Sequence, residues 1–281
     1  MCFVYLDDIL LLGNTEKQVE KDLQVMVHSL LEAGFKINVK KSILKPTQKL
    51  SHLGFILNLA QGQLEVCPEK LRLVRRELGK LVTKQEVTCR KMAAILGCIR
   101  SFLLALPFLR AFTDSLVALV NLQQTFGWDH KVLVPAGVKE QLKEIKLLLQ
   151  NWQGRPFLEK ATRELHSDSS TLAWAGVDIL EGGAVQEFWR GDSELHINVK
   201  ELSAAINTVQ SLAKKGEVVR LSVDNTVALS YLTKSGGRKP HLNKLIRPFL
   251  EWCLENKITL IPQWVPSQEM QADGLSRWVW D

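Results

Sequence analysis

Asp224 ends the run Glu217-Val-Val-Arg-Leu-Ser-Val-Asp-Asn225, and its setting is the first that points to chemistry. Val218, Val219, Leu221 and Val223 are β-formers in a run of strand length. Residues 226–232 then read as a helix. A buried strand that delivers a carboxylate just before a helix is a common way for an α/β sheet to place a reactive group. The alternative is that Asp224 or Asn225 simply caps the helix. Asp7 and Asp8 pose the same question. They interrupt Phe3-Val-Tyr-Leu-Asp-Asp-Ile-Leu-Leu-Leu12, a pattern that predicts a hairpin with buried arms and an acidic tip. Such a tip could be only a turn. Yet adjacent carboxylates repel, and a divalent cation, which prefers oxygen ligands, would relieve them. Asp168, Glu201 and Asp273 also fall at the edges of predicted elements.

Those elements follow from periodicity. Residues 19–33 form an amphipathic helix through Val19, Leu23, Met26, Val27, Leu30 and Leu31, ended by Gly34. Residues 35–39 read as a short strand, followed by Lys40-Lys41-Ser42, and residues 52–57 as another, with Gly54 inside it. Pro68 opens a helix whose apolar face is Leu71, Val74, Leu78 and Leu81. Arg72, Arg76 and Lys80 line another face, with Arg75 beside them. A second helix runs through Met92, Ile95, Leu96, Ile99 and Leu103, with Arg90, Lys91 and Arg100 outside and Pro107 closing it. Such charged stripes are usually solvated faces. In residues 116–158, a helix over 138–149 and a connector marked by Trp128, Trp152 and Pro156 carry no assignable chemistry.

Further on, a strand begins at 164–170 and resumes at 174–180. Glu181-Gly182-Gly183 turns the chain into a return strand over 184–189. Residues 194–199 read as a third strand and 200–209 as a helix. After the strand that ends in Asp224 and its helix come a helix over 241–255, a strand over 258–265 and a short helix over 272–278.

Composition narrows the class. A chain of 281 residues holds two domains or one large one, and 46% hydrophobic residues is ordinary for a globular protein. No apolar run is long enough to span a bilayer. Met1 leads straight into Cys2-Phe-Val-Tyr, without a secretory leader. Five cysteines without a CxxC pair fit a reduced protein and argue against structural zinc. The expectation is an intracellular protein, in cytoplasm or nucleus, with no membrane partner. Residues 1–115 carry 17 Lys and Arg against 11 Asp and Glu, whereas residues 116–281 carry 19 of each. A basic first part joined to a neutral second part fits a grip on a polyanion, or merely a soluble basic surface.

Several motifs give the chain a family resemblance. Tyr5-Leu6-Asp7-Asp8 resembles the YxDD box of reverse transcriptases. The segment from Leu31 to Ser42, with Gly34 and Lys41-Ser42, resembles the next palm motif, and Leu53-Gly54-Phe55 the primer-grip turn. The element order β-β-β-α-β-α-α-β-α over residues 159–281 is that of the ribonuclease H fold. Asp168, Glu201, Asp224 and Asp273 are similar to that family's D-E-D-D set, in the same order. His196-Ile-Asn-Val-Lys-Glu-Leu202, Val223-Asp-Asn-Thr226, Lys234-Ser-Gly-Gly237, Ala272-Asp-Gly-Leu-Ser-Arg277 and the phrase from Leu96-Gly97 to Leu106-Pro107 resemble the polymerase–ribonuclease H region of DIRS-like (tyrosine-recombinase) retrotransposons. Gypsy-like and pararetroviral elements are the alternative.

The resemblance implies a multidomain α+β and α/β architecture. Residues 1–66 would be a partial palm, 67–115 a helical basic thumb, 116–158 a connector, and 159–281 a ribonuclease H-like five-stranded mixed sheet with flanking helices. It implies hydrolysis of the RNA strand of an RNA–DNA hybrid at two magnesium ions, with manganese as a substitute, held by Asp168, Glu201, Asp224 and Asp273. Asp7, with Asp8, would be a polymerase metal ligand. Hybrid or duplex would be gripped by Arg72, Arg75, Arg76, Lys80, Lys40, Lys41, Asn198 and Asn225. The family's other palm aspartate and fingers lie upstream of YxDD, so this chain is not expected to polymerise DNA unless a fingers and palm segment joins it in cis or in trans. A non-catalytic nucleic-acid-binding remnant and half of a split polymerase are the other readings. No oligomeric state follows.

Some positions depart from the pattern. Ala173-Trp174-Ala175 stands where Gly-Trp-Gly is usual, Ser267 and Met270 where Gly and Asn are usual, and the last-loop histidine is missing. His166 and His196 read as packing or hydrogen-bonding residues rather than substitutes for it.

Overall fold

In the computed structural model, which describes residues 1–157, 160–189 and 195–277, the chain first reverses at Leu6-Asp7, with Leu6 at a left-handed φ of 52°. Strands β1 (Cys2–Tyr5) and β2 (Asp8–Leu11) pair there as an antiparallel hairpin, Tyr5 opposite Asp8. The hairpin is as expected, but its arms are not buried. All four β1 residues are exposed, and in β2 only Leu10 is buried. A two-stranded ribbon covers little of its own surface. Helix α1 (Glu16–Glu32), which packs on β2, buries none of its own residues.

Residues 35–39 form no strand. The Asn38 carbonyl accepts from the Lys41 and Ser42 N–H groups, and its side chain accepts from Lys41 as well. That local bonding makes a turn where a strand would need a partner. β3 (Lys49–His52), β4 (Phe55–Asn58) and β5 (Gln63–Val66) follow as a meander. The expected strand over 52–57 is therefore a hairpin, because Leu53 (φ 49°) and Gly54 (φ 86°) both turn left-handed.

Residues 1–67 and 154–157 make up one compact unit; residues 68–153 and the described residues beyond 157 make up the other. The second begins with α2 (Pro68–Thr83), which buries Leu71, Val74, Leu78 and Leu81 as its periodicity requires. β6 (Glu86–Thr88) and α3 (Cys89–Arg100) come next. α3 stops short of Leu103, and a 3-10 turn (Pro107–Arg110) leads to α4 (Asp114–Gln123). β7 (Lys131–Leu133) pairs antiparallel with β6, and α5 (Ala136–Asn151) packs on α2. β8 (Gly154–Pro156) then joins β5 within the first unit. Gly154 is needed there, since a Cβ would lie 2.2 Å from the Leu64 carbonyl oxygen.

The remaining strands are β9 (Arg163–Ser169), β10 (Ala173–Asp178), β11 (Ala184–Phe188), β12 (Val218–Val223) and β13 (Thr259–Trp264). They form one mixed sheet in the order β11-β10-β9-β12-β13. β9, β10 and β11 are antiparallel neighbours, and β12 runs parallel to both β9 and β13. α6 (Ile197–Leu212), α7 (Thr226–Lys234), α8 (Pro240–Glu255) and α9 (Asp273–Arg277) flank it. α6 crosses β10 at Gly176, where a Cβ would come within 2.5 Å of Thr208.

The element order is the one expected, with two reassignments. The interrupted strand over 164–180 is two antiparallel strands, because the Ser170 hydroxyl accepts from the Leu172 and Ala173 N–H groups and folds a turn. The third strand is β11. Of the strand expected over 194–199, Glu194 lies outside the described residues, and Ile197 already opens α6. His196 precedes that helix, its ring accepting from the Asn198 N–H. Trp278, expected in the last helix, also lies outside the described residues. Among those described, no helix is long and apolar enough to cross a membrane.

Candidate metal centre

The strand that ends at Val223 hands the chain to α7 through Asp224 and Asn225, and only one of them is the cap. The Asn225 side chain accepts from the Val227 and Ala228 N–H groups at 3.0 and 2.9 Å. Its Nδ2 donates to Asn198 Oδ1 at 3.1 Å. Asp224 is thereby left out of the cap.

Its carboxylate meets two others. One oxygen each from Asp168, Glu201 and Asp224 lies within 4.8 Å of the rest. Asp168 stands near the end of β9, Glu201 in the second turn of α6, and Asp224 just past β12. Asp168 and Glu201 are only 4% and 7% exposed. Asp273, at the first position of α9, adds its charge to both.

Among the described residues no Lys or Arg pairs with Asp168, Glu201 or Asp224, and Arg277 pairs with Asp273 alone. Burial, then the charges of Asp168, Asp224 and Asp273, push the Glu201 carboxyl up to about 9. Burial raises Asp168 too, the charges of Asp224 and Asp273 adding to it while bonds from Ser276 and Ser169 oppose it. Asp273 Oδ1 is shielded from solvent and accepts no hydrogen bond, and Arg277 Nη2 forms an ion pair with it at 2.7 Å. Carboxylates alone are the donor set of a hard divalent cation.

The segment after β13 holds the acids in place. Ser267 Oγ donates to Asp224 Oδ2 at 2.6 Å, and Trp264 Nε1 donates to the Asp224 carbonyl at 2.9 Å. The buried Ser276 hydroxyl lies against both Asp168 Oδ2, its closer acceptor, and the Asp273 carbonyl. α9 is itself tied to the sheet, since Ser170 Oγ donates to the Ser276 carbonyl and Gln186 Nε2 to that of Leu275, each at 2.6 Å. Sequence reasoning missed Ser276, although a serine three residues after Asp273 on one helix shares its face. His166 Nδ1 accepts from the Gln271 N–H at 3.3 Å and, like the capping His196, has a bonding role.

Two departures from the family pattern form a pair. Met270 and Ala175 are buried together with Ala272, under Val177, Val265 and Leu275. The larger residues fill one small core, so they do not leave the nearby acids unsupported.

The other sequence-predicted residues lie apart from this group. Asp7 and Asp8 are exposed at the first hairpin's tip, and among the described residues no third ligand gathers with them. Lys40 and Lys41 are exposed after α1. On α2, Arg72 bonds to Glu69 and Lys80 to Glu77, while Arg76 stands 4.0 Å from Glu77 and Arg75 is half-buried. Lys80 and Lys91 hold the Glu77 carboxyl at about 2. Part of the basic stripe is thus neutralised from within.

No protein-family model and no curated protein matches the chain. Among solved structures it is similar to a foamy viral protease-reverse transcriptase in complex with RNA/DNA hybrid, at 17% identity and a TM-score of 0.49, over 93% of this chain and 35% of that one. The foamy viral enzyme in complex with dsDNA gives 17% identity and a TM-score of 0.45, over 93% of this chain and 54% of that one. RNase H1 from the halophilic archaeon Halobacterium salinarum NRC-1 gives 14% identity and a TM-score of 0.31, over 40% of this chain and 90% of that one. The chain therefore spans between 35% and 54% of the length of these viral proteins.

Proposed function

We propose that residues 159–281 are a ribonuclease H-type endonuclease that hydrolyses the RNA strand of an RNA–DNA hybrid, and that the whole chain derives from a DIRS-like retroelement polymerase. One observation carries the reading. Three carboxylates from a strand, a helix and a strand end converge within 4.8 Å, with a fourth beside them, and among the described residues no Lys or Arg pairs with those three.

Asp168, Glu201, Asp224 and Asp273 would hold two divalent cations, magnesium in the cell. Four negative charges match two such ions. Bound there, the ions would supply an activated water and charge for the leaving oxygen of a phosphodiester. The residues contribute position. Ser276 fixes Asp168, Ser267 and Trp264 fix Asp224, and the Asn225–Asn198 bond ties the start of α7, next to Asp224, to the start of α6, three residues before Glu201. The two asparagines also offer amides for the hybrid's minor groove, where shape and 2′-hydroxyls are read. In the same reading the first unit is a palm remnant, with Asp7 and Asp8 at its tip, and α2 and α3 are a thumb. Polymerase activity belongs to an intact parent.

The test is incubation of the purified chain with a labelled hybrid and Mg²⁺. Cleavage of the RNA strand by the wild type and none by Asp224→Asn is the expected result. Salt-dependent binding without turnover would replace the nuclease with a binding remnant.

A further inference from the structure

Lysine is almost never fully buried unless its charge is paired. Lys200, in the first turn of α6, is only 2% exposed and ranks among the largest enclosed side chains. Among the described residues it pairs with no carboxylate. Its Nζ donates to the Thr171 carbonyl at 2.8 Å and stands 6.0 Å from the centre of the Trp189 ring. An apolar chain of that length would fill the space without the cost of desolvating an ammonium. What the lysine adds is the bond.

That bond lands on the turn between β9 and β10. Three successive carbonyls there each receive a donor from outside the turn. Ser170 accepts from Trp189 Nε1 at 3.3 Å, Thr171 from Lys200, and Leu172 from the Trp189 N–H at 2.9 Å. The turn begins two residues after Asp168, and Lys200 immediately precedes Glu201. The lysine is thus a short bridge between the strand end that carries one acid and the helix that carries another.

α6 has other ties, but they act elsewhere. Asn198 links its start to α7, on the Asp224 side. In the interior, Thr208 Oγ1 donates to Ser167 Oγ at 3.1 Å. Thr208 lies seven residues beyond Glu201, about 10 Å along the axis. A helix pivoting there by about 5° would carry Glu201 about 1 Å, several times the roughly 0.2 Å within which metal–ligand distances are set. Of these three ties, the Lys200 bond is the one that opposes such a tilt on the Asp168 side.

We infer that Lys200 is a positioning residue of the metal centre, its ammonium setting the distance between Asp168 and Glu201 by clamping the first turn of α6 to the β9–β10 turn. The inference rests on the reading of the four carboxylates as a divalent-metal site and needs no contact between Lys200 and metal or hybrid.

The experiment titrates the full chain with Mg²⁺ in a calorimeter, comparing wild type, Lys200→Met, Lys200→Arg and Trp189→Phe, with melting in metal-free buffer to establish that each folds. Lys200→Met keeps the volume and should raise the Mg²⁺ dissociation constant roughly tenfold. Lys200→Arg returns a donor to the Thr171 carbonyl and should recover most of that affinity, a rescue that a mere filler of space would not show. Trp189→Phe keeps a ring but removes the indole bond to Ser170. It should raise the constant about threefold, and it tests the clamp even if Lys200→Met fails to fold. Wild-type affinity in every folded variant, or equal losses in Lys200→Met and Lys200→Arg, would overturn the clamp and leave the metal centre standing. Absence of Mg²⁺ binding by the wild type would instead remove the metal-centre reading, and the role of Lys200 with it.

Discussion

Strand β9 has an acidic cluster at each end, and the two are compensated in opposite ways. At its first residue, the buried Arg163 is bonded to Asp178, Glu181 and Glu217, and Lys214 reaches Glu181 as well. The guanidinium holds Glu181 and Glu217 below the usual carboxylate range, and its own pKa rises, chiefly through Glu217. Near the strand's other end, Asp168 and Glu201 are shifted upward instead. Acids that meet a resident cation are architecture. Acids that meet one another have a use for a cation from solution.

The largest expected contrast is in what each end does when broken. Asp224→Asn should lower Mg²⁺-dependent hybrid cleavage on the order of 10²- to 10³-fold, without lowering the melting temperature in metal-free buffer, since one repelling charge is gone. Arg163→Met should do the reverse. It strands Asp178 in the core and costs about 3–5 kcal/mol of stability by urea titration, while the molecules still folded turn over normally. If the two variants behave alike, the distinction between the ends is lost.

Acidity should separate the ends next. Glu201 has a folded pKa of about 9 against an ordinary 4.5. Between those values the folded state keeps a proton that the unfolded state has released, so without metal stability falls as pH rises from about 4.5 to 9. At the Arg163 end the sign is opposite. Glu181 and Glu217 have depressed values, so their contribution is present above the unfolded pKa and lost as pH falls through the folded one. Melting temperature in metal-free buffer should therefore peak in weak acid, and Glu201→Gln should flatten the alkaline side alone. A wild-type profile already flat from pH 5 to 9 would contradict this.

The smallest effect sharpens the picture of support. Ser276→Ala removes the hydroxyl against Asp168 and should raise the Mg²⁺ concentration needed for cleavage roughly tenfold. Hybrid binding measured without metal should stay the same.

How legible this was depended on the range of the interactions. Apolar runs at 218–223 and the face of α2 announced a strand and a helix because burial alone decides them. The His196-Ile-Asn-Val199 stretch looked like a strand, and only the His196 ring bond to Asn198 reveals a helix start. Asp224 and Asn225 were equivalent as caps in sequence, and the choice of Asn225 depends on its bonds at both ends. The order of the four acids was readable through resemblance, but the Ser276–Asp168 tie spans 108 residues and the Arg163–Glu217 pair 54. The exposed arms of the first hairpin were misread because greasy residues imply burial only where something covers them.

The central claim is that the Asp168 end takes its cation from solution. Calorimetric titration with Mg²⁺ at pH 8, repeated at pH 5.5 and with Asp168→Asn, tests it most directly. The account predicts saturable binding at pH 8 that weakens in acid, as Glu201 and Asp168 keep their protons, and that disappears in the variant. Equal binding by wild type and variant, or none by either, would contradict it.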